Sequence, residues 1–375
     1  MQPRLSLQAL ALPVALLAIC AFFAAKEPAF LGSRNLTQLI VEFSLTGTLA
    51  LGMFMILLTG QIDLSVGSGV GLVGGIAAVL VFQQGWPAPL ALLAAFAVAV
   101  VLWTGMGALI VRQRIPSFII TLGGLLIFKG LFWLVIQNST IPVSRGDEEN
   151  LYAKLTTYYL PAAAGLGLAA ALLMGLAVAT WRARIARRAH GLPVTSTAQA
   201  VFTWSLAAAA VLGLVTIFNG FRGVPVSLLV LAAVAGAVWC LTRHTPFGRA
   251  LYAIGGNEEA AHLSGLPVAR TMVGAYALMG VAVALTGFMT TAYSGASTTT
   301  VGDLMELDAI AACVIGGTAL RGGRGTVGGV IFGALIMTAL LNGMTLLAVS
   351  PEAKFIARGA VLTLAVWMDV RLRRN

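Results

Sequence analysis

RHTPFGRALYAIGGNEEAAHLSGLPVAR, residues 243–270, is the longest polar, well-formed segment between two long apolar runs in the C-terminal half of the chain. Phe247 to Ala253 is compatible with a helix, and Gly255 and Gly256 are expected to break it. Asn257 is then placed to cap a second helix, Glu258 to Leu263, because its short side chain can accept a free backbone N–H. Glu258 and Glu259 fall in the first turn, where the helix dipole favours negative charge. Gly265 and Pro267 stop that helix. Six residues are too few to cross a bilayer, so this element is suited to offering a docking surface to a partner.

The flanking runs decide what it is mounted on. Of 375 residues, 59% are hydrophobic and 10% charged, with 43 glycines and a mean hydropathy of +0.95. A soluble domain carries roughly 25% charge, and these apolar runs repeatedly reach the roughly 20 residues that a crossing requires. The expectation is an all-α polytopic membrane protein, residues 1–375 forming a single transmembrane domain. The run from Leu7 to Ala25 reads as a retained first helix rather than a cleaved signal peptide. Cys20, Cys240 and Cys313 lie in apolar runs without paired spacing and read as small buried hydrophobes. His190, His244 and His262 are scattered, so neither a metal nor another cofactor is expected. A formal charge of +10 suggests nucleic acid in a soluble protein; in a membrane protein cytoplasmic Lys and Arg account for it, and no nucleic-acid partner is expected.

Apolar runs fall at about 7–25, 38–60, 66–83, 88–111, 116–137, 161–181, 200–219, 225–242, 272–293, 305–319, 326–349 and 355–370. Alternating their direction puts Arg4, Arg112, Arg114, Arg182, Arg184, Arg187, Arg188, Arg243, Arg249, Arg270, Arg321, Arg324, Arg371, Arg373 and Arg374 on one side. Lys26, Arg34, Arg145, Lys154, Arg222, Lys354 and Arg358 fall on the other, with Lys129 inside a span. Fifteen against seven fits the positive-inside rule with both termini cytoplasmic. The weak spans are 66–83, rich in glycine, and 305–319, short and carrying Asp308. On this topology 243–271 is a cytoplasmic loop, and so is the basic 182–199, which either fixes orientation or touches a cytoplasmic partner. The longest outside loop, 138–160, holds Arg145, Asp147, Glu148, Glu149 and Lys154; it is a solvated loop or a landing surface for a delivery protein.

Glycine-rich segments with a carboxylate follow apolar runs in both halves, GQIDLSVGSG at 60–69 and the stretch from Asp308 through Gly316-Gly317 to Gly328-Gly329. Broken helices in corresponding positions are what a transporter built from inverted repeats carries. A carboxylate at membrane depth costs about 2.5–3.5 kcal/mol and is normally paired or wet. Asp63, with Ser65 beside it, is therefore either a pathway residue or the cap of a helix starting at Leu64. Lys129 either snorkels or pairs with a span carboxylate such as Glu42. Asp303, Glu306 and Asp308, with Thr298 to Thr300, could bond sugar hydroxyls or cap a helix. No G-x-x-x-x-G-K-[ST], nucleophile elbow or HExxH occurs. The chain is thus not expected to be an enzyme, and any energy must come from another chain.

GRALYAIGGNEEAAHLSG at 248–265, GQIDLSVGS at 60–68 and LDAIAACVIGGT at 307–318 strongly resemble the permease subunits of bacterial ABC importers for pentoses and related sugars. The basic insert between 161–181 and 200–219, LNGM at 341–344 and AVWMD at 365–369 look most like the D-xylose branch of that family. The resemblance covers nearly the whole chain. It implies an inner-membrane permease translocating a pentose by alternating access, two copies pairing with a cytoplasmic ABC ATPase and receiving sugar from a periplasmic sugar-binding protein. Glu258, Glu259, Ala260, Ala261 and Gly265 would occupy the ATPase-coupling helix, with Gly248, Arg249, Gly255 and Asn257 in the same matched run. Asp63, Ser65, Asp303 and Asp308 are the candidate substrate path or gate. The family pattern implies about ten spans of the roughly 20-residue kind, so either the pair around 161–219 is inserted or 305–319 is a half-helix. Ribose, arabinose, galactose or an autoinducer-like sugar is the alternative cargo, and a passive channel or membrane-embedded enzyme the alternative class.

Overall fold

A computed structural model describes residues 7–146, 149–194 and 196–372. Arg4, Asp147, Glu148, Arg373 and Arg374, which entered the charge count and the outside loop above, lie outside the described residues. The described chain is helical almost throughout: α1 (Leu7–Lys26), α2 (Ser33–Leu58), α3 (Val66–Phe82), α4 (Ala88–Gln113), α5 (Ser117–Ile136), α6 (Leu151–Thr157), α7 (Ala162–Ala189), α8 (Thr197–Asn219), α9 (Val226–His244), α10 (Pro246–Gly256), α11 (Glu258–Leu263), α12 (Val268–Ser294), α13 (Met305–Ile315), α14 (Val327–Leu346) and α15 (Pro351–Leu372). Two short antiparallel ribbons join distant segments. Ile141–Pro142 (β1) pairs with Ala296–Ser297 (β4), and Tyr159–Leu160 (β2) pairs with Val224–Pro225 (β3).

Among the described residues eight helices, α2, α4, α5, α7, α8, α9, α12 and α14, are long and apolar enough to cross a membrane. Every expected apolar run contains a helix, but α1, α3, α13 and α15 are not among these eight, and α13 in 305–319 is the shortest of them. α13 has 11 residues, about 16 Å of helix, and ends at Gly316 and Gly317, the latter at φ +83°. The chain then crosses Gly322, Gly323 and Gly325, all at positive φ, so it cannot continue as a helix. Twelve complete crossings are therefore too many, and α13 is a half-helix.

α2 is the hub. Of its apolar window 83% is buried within the protein, against 67% for α12 and 17% for α7 and α8, which separates centre from periphery. Helices in lipid gain little from hiding apolar surface, so close packing of small residues against large ones must hold them. Trp103 of α4 covers Gly69 of α3, and Phe132 of α5 covers Gly71 and Gly75. α7 and α8 form a hairpin that reaches the core only along Gly165, Ala169 and Leu173 on one helix and Ala208, Val215 and Phe218 on the other.

Two loop assignments change. The stretch 182–199 is mostly helix: α7 continues through Arg182 to Ala189 and α8 resumes at Thr197, because nothing between them breaks a helix before Gly191 and Pro193. The described parts of the outside loop, 138–146 and 149–160, are likewise structured, with α6 capped by Asn150, whose Oδ1 accepts from Ala153 N at 3.0 Å. Tyr152 Oη donates to the Gly74 carbonyl at 2.8 Å, and Arg145 Nε to that of Phe82 at 2.6 Å, pinning the segment over α3. Of the cysteines read as buried, Cys313 is, Cys20 is half-buried and Cys240 is exposed.

Candidate functional site

At one end of the molecule α10 and α11 form a compact elbow. Thr245 caps α10, its Oγ1 accepting from Gly248 N at 3.2 Å, and Pro246 sits where a missing N–H is harmless. α10 does not break at Gly255 and Gly256 but runs through both to Asn257. The reason lies in what surrounds Gly255. A Cβ there would stand 1.9 Å from the Leu58 carbonyl oxygen and 2.4 Å from Gly323 N, so glycine serves close backbone approach rather than helix termination.

α11 forms where the sequence places it. Asn257 Oδ1 accepts from Ala260 N at 2.9 Å, and Gly265 ends the helix at φ +78°. Ala261 alone of the six residues is buried, against Ile254, Val268 and Met272. Glu258, Glu259, Ala260, His262 and Leu263 are exposed, as is Arg249. The result is a short rigid helix anchored by one methyl group and presenting acids at its dipole-positive end. Beside it opens a cleft of about 780 Å³ lined by Gln61, Arg114, Glu258, Glu259, His262 and Met272 among others.

The elbow meets both interrupted helices. Gly323 N donates to the Leu58 carbonyl at 3.0 Å, joining the end of α2 to the loop that leaves α13. Tyr252 Oη of α10 donates to the Gly325 carbonyl in the same loop at 3.0 Å; partial burial pushes its phenol above the ordinary value, with Arg243 opposing.

From Leu58 the chain runs unwound through Gly60 to Ser65 and re-forms helix at Val66. Asp63 organises this break. It is fully buried; Oδ1 accepts from Ser65 N at 2.8 Å and Ser65 Oγ at 2.6 Å, and Oδ2 accepts from Trp103 Nε1 at 2.7 Å. Asp63 thus bonds the N–H of Ser65, which is itself the N-cap of α3, so it does not cap a helix starting at Leu64; through Trp103 it pins the break to the middle of α4. Ser117, at the start of α5, accepts from Ile62 N at 3.2 Å.

The chain entering α13 lies against the start of α3. After β4 the chain turns at Gly302, where a Cβ would lie 2.1 Å from the Gly67 carbonyl, and Glu306 packs directly on Gly67. The N-terminal ends of α3 and α13 therefore meet, with a carboxylate between two positive dipole ends. Asp303 is ion-paired with Lys129, whose Nζ also donates to the Thr299 carbonyl at 2.8 Å. Lys129 pairs with Asp303, not with Glu42, which accepts from Tyr293 Oη at 3.0 Å and Asn342 Nδ2 at 3.2 Å. Asp308 lies 3.1 Å from Arg358 of α15. Neither Asp303 nor Asp308 caps α13, whose N-cap is Leu304 in a left-handed conformation.

The structure thus joins Asp63 to Ser65, and Asp303 to Lys129, and leaves Asp308 paired separately. Sequence reasoning missed Trp103, Leu58, Gly323 and Arg358 as partners. Arg358 alone carried a usable signal, since it falls in the apolar run 355–370 although it was counted with the outside charges.

Residues 35–366 match the family described as branched-chain amino acid transport system / permease component. The chain is 40% identical over 374 residues to the xylose transport system permease protein XylH of Escherichia coli (strain K12), covering 99% of this chain and 94% of that one. It is 39% identical over 371 residues to the protein of the same name from Haemophilus influenzae, covering 99% and 98%. The ribose import permease protein RbsC of Escherichia coli (strain K12) is 32% identical over 356 residues, covering 95% and 92%. No solved structure matches the chain.

Proposed function

Because this chain belongs to the branched-chain amino acid transport system / permease component family, we propose that it is the permease subunit of an ABC importer carrying D-xylose into the cytoplasm. It is a multi-pass membrane transport subunit and not an enzyme. The observation that carries the choice of sugar is the nearly full-length 40% identity to xylose permeases against 32% to a ribose permease. A cytoplasmic ATPase supplies the energy, a periplasmic sugar-binding protein delivers the substrate, and a second copy of this chain completes the path. Both termini and the α10–α11 elbow face the cytoplasm, an orientation supported by the arginine excess on that side.

In this reading α11 seats in the ATPase, with Glu258, Glu259 and Ala260 on its docking face and Gly265 ending it. Its movement reaches the transmembrane core through α10, Gly255 handing displacement to Leu58 and Gly323 together. Both breaks, at 59–65 and at 317–325, are then driven by one elbow, which is how a rigid-body push becomes alternating access. Asp63 and Ser65 form the hinge of the first break. Asp303, half-exposed beside Lys129, faces the path, and Asp308 is neutralised behind it.

The test is transport in proteoliposomes. The chain reconstituted with its ATPase and a xylose-binding protein should concentrate labelled D-xylose with ATP inside the ATPase compartment, and do so at least tenfold better than ribose. Concentrative uptake by the chain alone, or a preference for ribose, overturns the reading.

A further inference from the structure

The α7–α8 hairpin carries a feature that neither its packing nor transport absorbs. α7 has 28 residues, about 42 Å of helix, whereas a hydrocarbon core is about 30 Å thick. Its last two turns must therefore stand at headgroup level, and they hold Arg182, Arg184, Arg187 and Arg188. No Asp or Glu occurs anywhere between Glu149 and Glu258, so no acid of the hairpin neutralises them. Two of the four are engaged by their own turn: Arg184 donates to the Ser196 carbonyl at 3.2 Å and to Thr197 Oγ1 at 3.1 Å, and Arg187 to the Pro193 carbonyl at 3.1 Å. Arg182 and Arg188 are exposed. At about 100° per residue, Trp181 and Arg182 project away from the Gly165–Ala169–Leu173 stripe that meets the core. Trp181 is 68% exposed and Ile185 53%, the amphipathic surface expected where a helix leaves the hydrocarbon.

We propose that this end of α7 is a binding surface for anionic phospholipid headgroups, with Arg182 and Arg188, about 120° apart round the helix, each facing the headgroup layer and Trp181 resting at the acyl boundary. Clustered basic residues immediately beyond a membrane helix attract anionic headgroups, and arginine binds phosphate through two parallel N–H donors. Arg184 and Arg187 act indirectly, holding the turn so that the exposed Arg182 and Arg188 are presented. The site does not depend on which face is cytoplasmic, and it stands apart from the sugar path.

The full chain in detergent, exchanged against equimolar phosphatidylglycerol and phosphatidylethanolamine, should retain phosphatidylglycerol by native mass spectrometry at least fivefold over phosphatidylethanolamine. Arg182→Gln with Arg188→Gln should abolish that preference, while Arg184→Gln with Arg187→Gln weakens it about twofold; thermal unfolding in detergent identifies any variant that fails to fold. Retention of phosphatidylglycerol unchanged in the Arg182/Arg188 variant overturns the proposal. Its complete displacement by 10 mM inorganic phosphate also overturns it, since the site would then be one for a free anion.

Discussion

The Leu58 carbonyl and the Gly323 N–H are bonded at 3.0 Å, and Gly255 of α10 lies against both. Three segments distant in sequence touch there through backbone alone, where no side chain can cushion a displacement.

Gly255→Ala places a methyl group into that contact, and overpacking of this kind costs about 1–3 kcal/mol. The variant should insert and bind the ATPase, lose uptake at least tenfold and retain most ATP hydrolysis. Tyr252→Phe, which removes only the bond to Gly325, should lose about threefold. Parallel measurement of hydrolysis and uptake in proteoliposomes checks both; undiminished uptake by the alanine variant would remove the elbow from the transmission route.

Asp63→Asn should be destabilising by about 1–3 kcal/mol, because the amide turns a donor toward Ser65 or Trp103, which already donate. Trp103→Phe should cost less. The double variant should fall short of the sum by about 0.5–3 kcal/mol, the coupling expected of groups sharing one bond; denaturation in detergent measures it.

Asn257→Ala removes the cap of α11 and should cost about 1 kcal/mol locally, fraying the helix and lowering ATPase affinity severalfold, whereas Asn257→Asp should be nearly silent. Co-purification titrated with salt discriminates the two.

Asp303 is 48% exposed on its side chain and Lys129 20%, so their pairing contributes about 1 kcal/mol or less to stability. Asp303→Asn should leave thermal unfolding unchanged within error and raise the KM for sugar, while exchanging the two charges should restore part of it. An unchanged KM would move Asp303 off the path.

Single cysteines in place of Arg187 and Ser264 should be labelled by an impermeant maleimide from one face, and one in place of Ser139 from the other. Labelling of Arg187→Cys and Ser264→Cys from opposite faces refutes the orientation.

The run lengths, the capped α11 and the two interruptions were legible because they rest on local chemistry: hydrophobic length, an Asn before two glutamates, glycines in series. The partners of the charged groups were not. Lys129 finds Asp303 across 174 residues of sequence, Asp63 finds Trp103 across 40, and such distances are closed by packing that no local pattern encodes. Gly255 shows the limit in the other direction. Its residue type announced a helix break, whereas its surroundings demanded the absence of a side chain, and a sequence offers one symbol for both needs.

The peripheral hairpin has a consequence for how such a chain can change over time. Leu160 and Val224 face each other across the second ribbon, so the backbone leaves and rejoins the bundle at one point, and everything between is a closed excursion. A two-helix excursion can be gained, lengthened or lost without inverting the sidedness of any later segment. The elbow at α10 and α11 would keep its address in every such descendant, whereas inserting one helix would strand it on the wrong side of the membrane.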